Sequence, residues 1–272
     1  MMSQSNCSAA PDECRYAAHM TDILSLYTLD LLLLIAVTAV IAGMVKGIVG
    51  FAMPMIFITG MTIFVAPDLA LGILILPTLV TNGWQAGRQG FSAALKSLYD
   101  HRWFLGLGYG VLLATTQLVP LLSQDVFFLC LGVLVVGFAS LMLSGWKPQG
   151  RSGARLSFAC AVIAGIGGGI SGVWGPPTVM YLSTHQLEKQ AQMRAQGVIY
   201  GLGAVLLLFG HLGSGIATPQ ALGLGGFAIV PACFGIWIGF QIQDRINQNM
   251  FRIATLSVLI LAGLNLIRRG VM

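Results

Sequence analysis

Residues 43–54 read GMVKGIVGFAMP, and residues 165–176 read GIGGGISGVWGP. The two stretches share three glycines and a proline at identical spacing, and the second begins 122 positions after the first. Each belongs to an apolar run that is too long for one crossing of about 30 Å of hydrocarbon, because run 29–65 would make about 55 Å of helix and run 156–182 about 40 Å. The spacing therefore predicts two broken helices or re-entrant hairpins, whose irregular backbone is buried in protein or lines a cavity.

The composition is that of a membrane protein. Of the 272 residues, 56% are hydrophobic and 8% are charged, whereas about 25% are charged in an ordinary soluble domain. So few charges exclude a soluble enzyme, a disordered chain and a disulfide scaffold. We predict an all-α polytopic membrane protein of about eight apolar runs, folded as eight to ten segments. The runs lie at 29–65, 69–87, 103–122, 126–145, 156–182, 195–211, 222–241 and 252–267.

The duplicated motif predicts a chain built from two related halves. A polar N-terminal tail over 1–28 precedes a first transmembrane repeat over 29–146, and a basic cytoplasmic linker over 147–155 leads into a second repeat over 156–272. Each repeat begins with its broken run and continues with three ordinary spans. The tail lacks the basic region of a cleaved signal peptide, so we expect the first helix to be retained.

Basic residues indicate how the repeats are oriented in the membrane. Lys and Arg gather in the loops at 88–102 and 147–155, so we expect these two loops to be cytoplasmic. The connections near Asp68 and Asp125 carry no Lys or Arg and should face the outside. If each broken run returns to the side it entered, ten basic residues lie inside and three outside; if every run crosses once, the split is nine to four. The hairpin arrangement inverts one repeat relative to the other. Inverted repeats with discontinuous helices at matching positions are typical of secondary transporters.

The paired glycine and proline motifs are the first candidates for a binding site. A half-helix that begins near Pro54 or Pro176 offers free backbone N–H groups and a positive dipole end to an anion. Small residues spaced like Gly43 and Gly47 also let membrane helices pack closely, and that alternative applies to each glycine taken singly. We assign an anion site to residues of both motifs, namely Gly47, Gly50, Pro54, Gly169, Gly172, Trp174, Gly175 and Pro176.

Lys46 is the only formal charge in the interior of run 29–65. A charged side chain at this depth costs at least about 2.5–3.5 kcal/mol on insertion scales. The ammonium could supply a point charge to a bound anion, or it could reach the cytoplasmic surface from a hairpin tip near that surface. No Asp or Glu lies in the middle of any run. The buried field should therefore be positive, which favours an anionic substrate.

Four polar residues in the spans after the broken runs could line the substrate route. Asn82 and Gln85 follow the first motif, and Gln196 and Tyr200 follow the second. The alternative is that they only hold helices together by hydrogen bonds.

Patterns expected of an enzyme or a metalloprotein are missing from the sequence. Gly167, Gly169 and Gly172 match a dinucleotide-binding fingerprint, but no strand precedes them. No Cys/His spacing indicates a metal site, and no acid/base or nucleophile pair lies on neighbouring runs. We expect no catalytic residue, no metal, no cofactor and no nucleic-acid partner. Cys7 and Cys14 in the polar tail could pair if the tail faces an oxidising compartment.

Residues 42–54 and 168–177 together resemble the sulfite exporter TauE/SafE family of membrane proteins. The resemblance covers about 30–268, including the layout in two halves, and the second motif with its Gly-Pro-Pro ending is the more specific. The first motif departs from the run of consecutive glycines that many members have, since Phe51 and Ala52 stand in its place. The resemblance implies export of sulfite or a small organosulfonate such as sulfoacetate across the bacterial cytoplasmic membrane.

We therefore predict a multi-pass transporter that exports a small oxyanion. The breaks of the two halves should meet near the midplane, where half-helix N-termini and Lys46 bind the anion while one bundle rocks against the other. An anion channel, or a membrane-embedded assembly partner without transport activity, is the alternative. The expected partners are the small anion and the lipid bilayer. The sequence leaves undecided whether the chain forms a homodimer.

Overall fold

In the computed structural model the described residues are 28–145, 154–185, 187–243 and 248–272. Within them every regular element is helical. The tail with Cys7 and Cys14, and most of the linker predicted over 147–155, lie outside the described residues.

Eleven α-helices form the described part of the chain. In chain order they are α1 (Leu29–Val49), α2 (Met53–Met61), α3 (Pro67–Gly87), α4 (Phe91–Asp100), α5 (Arg102–Thr116), α6 (Gln124–Leu143), α7 (Ala154–Ser171), α8 (Gly175–Ser183), α9 (Lys189–Gly213), α10 (Pro219–Gln243) and α11 (Gln248–Val271). A 3-10 turn at Val119–Leu121 extends α5. Seven are long and apolar enough to cross a membrane, namely α1, α3, α5 with its turn, α6, α7, α9 and α10. This confirms the predicted all-α polytopic fold.

The first broken run is a re-entrant hairpin of α1 and α2. Its tip has left-handed backbone at Gly50 (φ +86°) and Ala52 (φ +77°), which reverses the chain direction. Helix α2 then packs back along α1, since a Cβ on Gly60 would lie 3.1 Å from Cγ2 of Thr38. The following α3 runs parallel to α1, because Gln85 near its end bonds the Gly50 carbonyl. The hairpin therefore enters and leaves on the side where α3 begins.

The second broken run folds in the same way. Helix α7 runs alongside α5, and Gly169 packs against Thr115 near the end of α5. The chain turns at Gly172 (φ +69°), and α8 returns until Tyr181 stacks on Phe104 at the start of α5, with ring centroids 4.1 Å apart. This hairpin therefore opens on the side where α5 begins.

The two hairpins enter the membrane from opposite sides. Helix α5 begins where α3 ends, since Arg194 near the start of α9 bonds Gln89 after α3 and Ser97 in α4. The packing is symmetric as well: α1 pairs with α10 as α7 pairs with α5, while α3 packs on α9 and α6 on α11. The predicted inversion of the repeats is therefore present.

The described basic residues lie mainly on one side of the protein. One side carries Arg88, Lys96, Arg102, Arg155, Lys189 and Arg194 at or near helix ends, and the other carries Arg268 and Arg269. By the positive-inside rule we expect the first side to face the cytoplasm. In that orientation the first hairpin opens to the outside and its tip points inward.

Candidate functional site

The two hairpin tips meet in the interior beside α3 and α9. A Cβ on Gly175 would lie 3.2 Å from the ring of Phe51, and one on Gly172 would lie 3.8 Å from Cβ of Pro54. Between the tips is a cavity of about 10 Å³, which is roughly the space that one water molecule needs. Its walls are Lys46, Phe51, Ala52, Pro54, Met55, Asn82, Val173, Trp174, Gly175 and Tyr200. We call this space the tip cavity.

Lys46 is the basic side chain among the described residues that line the tip cavity. Its side chain is 2% exposed, and its Nζ donates hydrogen bonds to Oγ1 of Thr81 at 2.9 Å and to Oδ1 of Asn82. Thr81 in turn donates to the carbonyl of Pro77 at 2.6 Å, so its oxygen is oriented toward the ammonium. The structure places Lys46 inside the protein, which contradicts the alternative that it reaches the cytoplasmic surface. No carboxylate lies among the described residues that line this cavity.

Two helix N-termini add to the positive field. Helix α2 begins after Ala52 and α8 begins after Trp174, and both residues line the tip cavity. Neither start has a side-chain cap. Pro54 in α2, and Pro176 and Pro177 in α8, carry no N–H, so Gly175 supplies the only backbone N–H in the first three residues of α8. An anion at this point would face the positive ends of both helix dipoles.

Trp174 and Tyr200 form the wall contributed by the second half. Trp174 is 5% exposed, and its ring lies 6.4 Å from that of Tyr200. The Tyr200 hydroxyl donates to the carbonyl of Gly175 at 3.0 Å, which holds the start of α8 against α9. Trp174 is therefore part of the wall of the tip cavity.

Gln85 and Gln196 lie on the cytoplasmic side of the first tip. Gln85 Nε2 donates to the carbonyl of Gly50 at 3.2 Å and to that of Met193 at 2.9 Å. Gln196 approaches Gly50 so closely that a Cβ there would overlap its amide oxygen. Within the described residues, the Oε1 atom of each glutamine is buried without a hydrogen-bond partner. The Gln85 amide therefore connects the first hairpin tip to α9, and Gln196 of α9 packs against that tip.

Two predicted site glycines are packed in helix contacts. A Cβ on Gly47 would lie 2.5 Å from the carbonyl oxygen of Ile236 and 2.8 Å from Cα of Gly239, so Gly47 allows α1 and α10 to touch. Gly169 does the same for α7 and α5, where it meets Thr115. For these two positions the structure supports the packing alternative.

The predicted residues thus divide by position. Those that line the tip cavity are Lys46, Pro54, Asn82, Trp174, Gly175 and Tyr200. Gly50 and Gly172 form the turns, and Pro176 lies in the first turn of α8. Cavity residues that the prediction missed are Phe51, Ala52, Met55 and Val173. Phe51 and Ala52 could have been found from the sequence, because they replace glycines that many family members have there. No feature of the sequence pointed to Met55 or Val173.

The family model described as "Sulfite exporter TauE/SafE" matches residues 35–266. Neither a curated protein nor a solved structure was found to match.

Proposed function

The chain belongs to the sulfite exporter TauE/SafE family, and from this premise we propose that it exports sulfite or a small organosulfonate such as sulfoacetate through the tip cavity. Membership makes the chain a membrane transporter of sulfite or related anions, and members of the family are not enzymes. The export direction, these particular anions and the bacterial cytoplasmic membrane belong to the proposal.

The observation that carries the proposal is the buried amine of Lys46, whose charged form a bound anion would stabilise. Its two hydrogen-bond partners, Thr81 and Asn82, are neutral. A buried charge is costly unless it is paired, and an anion that enters beside it supplies the missing partner. The uncapped starts of α2 and α8 reinforce the preference for an anion over a cation.

The size of the tip cavity supports alternating access. At about 10 Å³ the tip cavity is too small to hold a sulfite ion in this conformation. Binding must move at least one hairpin tip, and the backbone at Gly50 and Gly172 is where each tip joins its long helix.

The membrane potential of a cell that is negative inside favours expulsion of an anion by about 2.3 kcal/mol per charge per 100 mV.

We would test the proposal by sulfite flux in proteoliposomes that contain the purified protein. Sulfate, sulfoacetate and chloride serve as competitors. Lys46→Ala is compared with Lys96→Ala, which removes an exposed lysine of α4 far from the tip cavity. We expect saturable sulfite flux in wild type and Lys96→Ala, and loss of that flux in Lys46→Ala.

The other possible flux results favour different alternatives. Flux that does not saturate would favour the channel alternative. Saturable flux that survives Lys46→Ala would retain the transporter and remove Lys46 from the binding site. No flux of any anion, from folded protein in sealed liposomes, would contradict the proposal and favour an assembly partner.

A further inference from the structure

A second, larger cavity lies on the cytoplasmic side of the first hairpin tip. Its volume is about 270 Å³. We call it the cytoplasmic vestibule, and its walls include Gln85, Arg88, Gln89, Gln190, Met193 and Arg194. Nearly all of these side chains are polar, in contrast to the mainly apolar walls of the tip cavity.

The two arginines of the vestibule are held by neutral groups. Arg194 donates from Nε to Oγ of Ser97 at 3.0 Å and from a terminal nitrogen to Oε1 of Gln89. The Arg88 guanidinium lies 3.9 Å from the ring centroid of Phe240. Across the described part of the chain, neither arginine forms an ion pair with a carboxylate. Their planar N–H donors suit the oxygens of a small oxyanion.

One layer of side chain and backbone separates the vestibule from the tip cavity. Gln85 lines the vestibule and bridges the carbonyls of Gly50 and Met193. The residue after Gly50 is Phe51, which lines the tip cavity. An anion in the vestibule is therefore one hydrogen-bonded bridge away from Lys46.

We propose that the vestibule is a cytoplasmic loading site for small sulfur oxyanions, bound by Arg88 and Arg194. The anion passes to the tip cavity when the Gln85 bridge opens. This inference rests on the proposed function, because the vestibule would be the first binding site on the same export route. Because the vestibule is larger than the tip cavity, it can accept organosulfonates as well as sulfite. The tip cavity then discriminates between these anions.

Binding to a Lys46→Ala background isolates the vestibule from the tip cavity. Radiolabelled sulfite is equilibrated with purified protein in a non-ionic detergent at low salt. We expect Lys46→Ala to retain sulfite binding, and we expect the added pair Arg88→Gln and Arg194→Gln to abolish it. Arg155→Gln on the same background is the matched control, since Arg155 is an exposed cytoplasmic arginine outside the vestibule. Glycerol phosphate as a competitor reports whether a lipid headgroup uses the same donors.

Flux kinetics provide the second readout. With sulfite on the cytoplasmic face, Arg88→Gln and Arg194→Gln should each raise KM about 3–10-fold with the maximal rate within about twofold of wild type. The double variant should also lose part of the salt dependence of KM. Arg155→Gln should leave KM unchanged.

The results separate the two proposals. Saturable wild-type flux with the same KM in the vestibule variants and in Arg155→Gln would overturn the loading site and leave the exporter intact. A Lys46→Ala protein that binds no sulfite would also overturn the loading site. Absence of both flux and binding in the wild type would instead overturn the proposed function. An unchanged melting temperature of the double variant in detergent checks that loss of binding is not loss of fold.

Discussion

Lys46 and Asn82 are joined by a hydrogen bond between α1 and α3, although they lie 36 positions apart in the sequence. The contact exists because α2 returns the chain to the side where α1 started, so that α1 and α3 run in parallel and reach the same depth together. A polar side chain on the span after the hairpin thereby orients Lys46, the basic residue among the described walls of the tip cavity.

Asn82→Asp tests whether the net positive charge of the tip cavity is required. A carboxylate at this position would pair with Lys46 and neutralise it, so the attraction for an anion would fall. We expect sulfite flux to fall at least about 10-fold, equivalent to about 1.4 kcal/mol, without a lower melting temperature. Asn82→Ala, which removes the hydrogen bond without adding charge, should reduce flux less. Normal flux in Asn82→Asp would show that the charge is dispensable.

Ala52→Gly should stabilise the protein. Ala52 has a φ of +77°, a left-handed conformation that glycine adopts without the steric cost of a Cβ. We expect the free energy of unfolding to rise by about 1 kcal/mol, measured as a higher melting temperature in detergent. Ala94→Gly, inside the ordinary helix α4, should lower it by a similar amount. A lower melting temperature for Ala52→Gly would contradict the strain assigned to this turn.

Gly47→Ala separates packing from substrate binding. The added methyl group would meet the backbone of α10 at 2.5–2.8 Å, and overpacking of this kind costs about 1–3 kcal/mol. We expect a lower melting temperature. Gly106→Ala is the control, since its Cβ would meet nothing within 4 Å, and it should not destabilise the protein. Loss of flux at an unchanged melting temperature would show that Gly47 takes part in substrate binding and not only in helix packing.

The inverted topology can be checked by thiol labelling in a cysteine-free background. Asp125 at the start of α6 and Lys96 in α4 are both exposed and lie on opposite sides. An impermeant maleimide should label Asp125→Cys in intact cells and Lys96→Cys only after permeabilisation. The reverse pattern would invert the assigned orientation, and with it the side from which the vestibule is loaded.

Sequence alone determined the broad architecture, because the bilayer has a fixed thickness. Two runs longer than one crossing, each with glycines and a proline at matched spacing, had to be interrupted, and the structure has hairpin turns at Gly50 and Gly172. The distribution of basic residues then indicated which side each hairpin opens toward. Lys46 was identifiable because a charge in an apolar run is costly and therefore conspicuous.

Tertiary structure decided which residues share a cavity. Several spans are apolar all round, so no polar stripe shows which face of a helix turns inward. The pairing of α1 with α10 turned Gly47 into a packing contact, and the pairing of α3 with α9 placed Gln85 outside the tip cavity and Asn82 within it. Such contacts depend on the rotation and depth of helices far apart in the chain. Those quantities are set by side-chain packing between segments, which local sequence does not record.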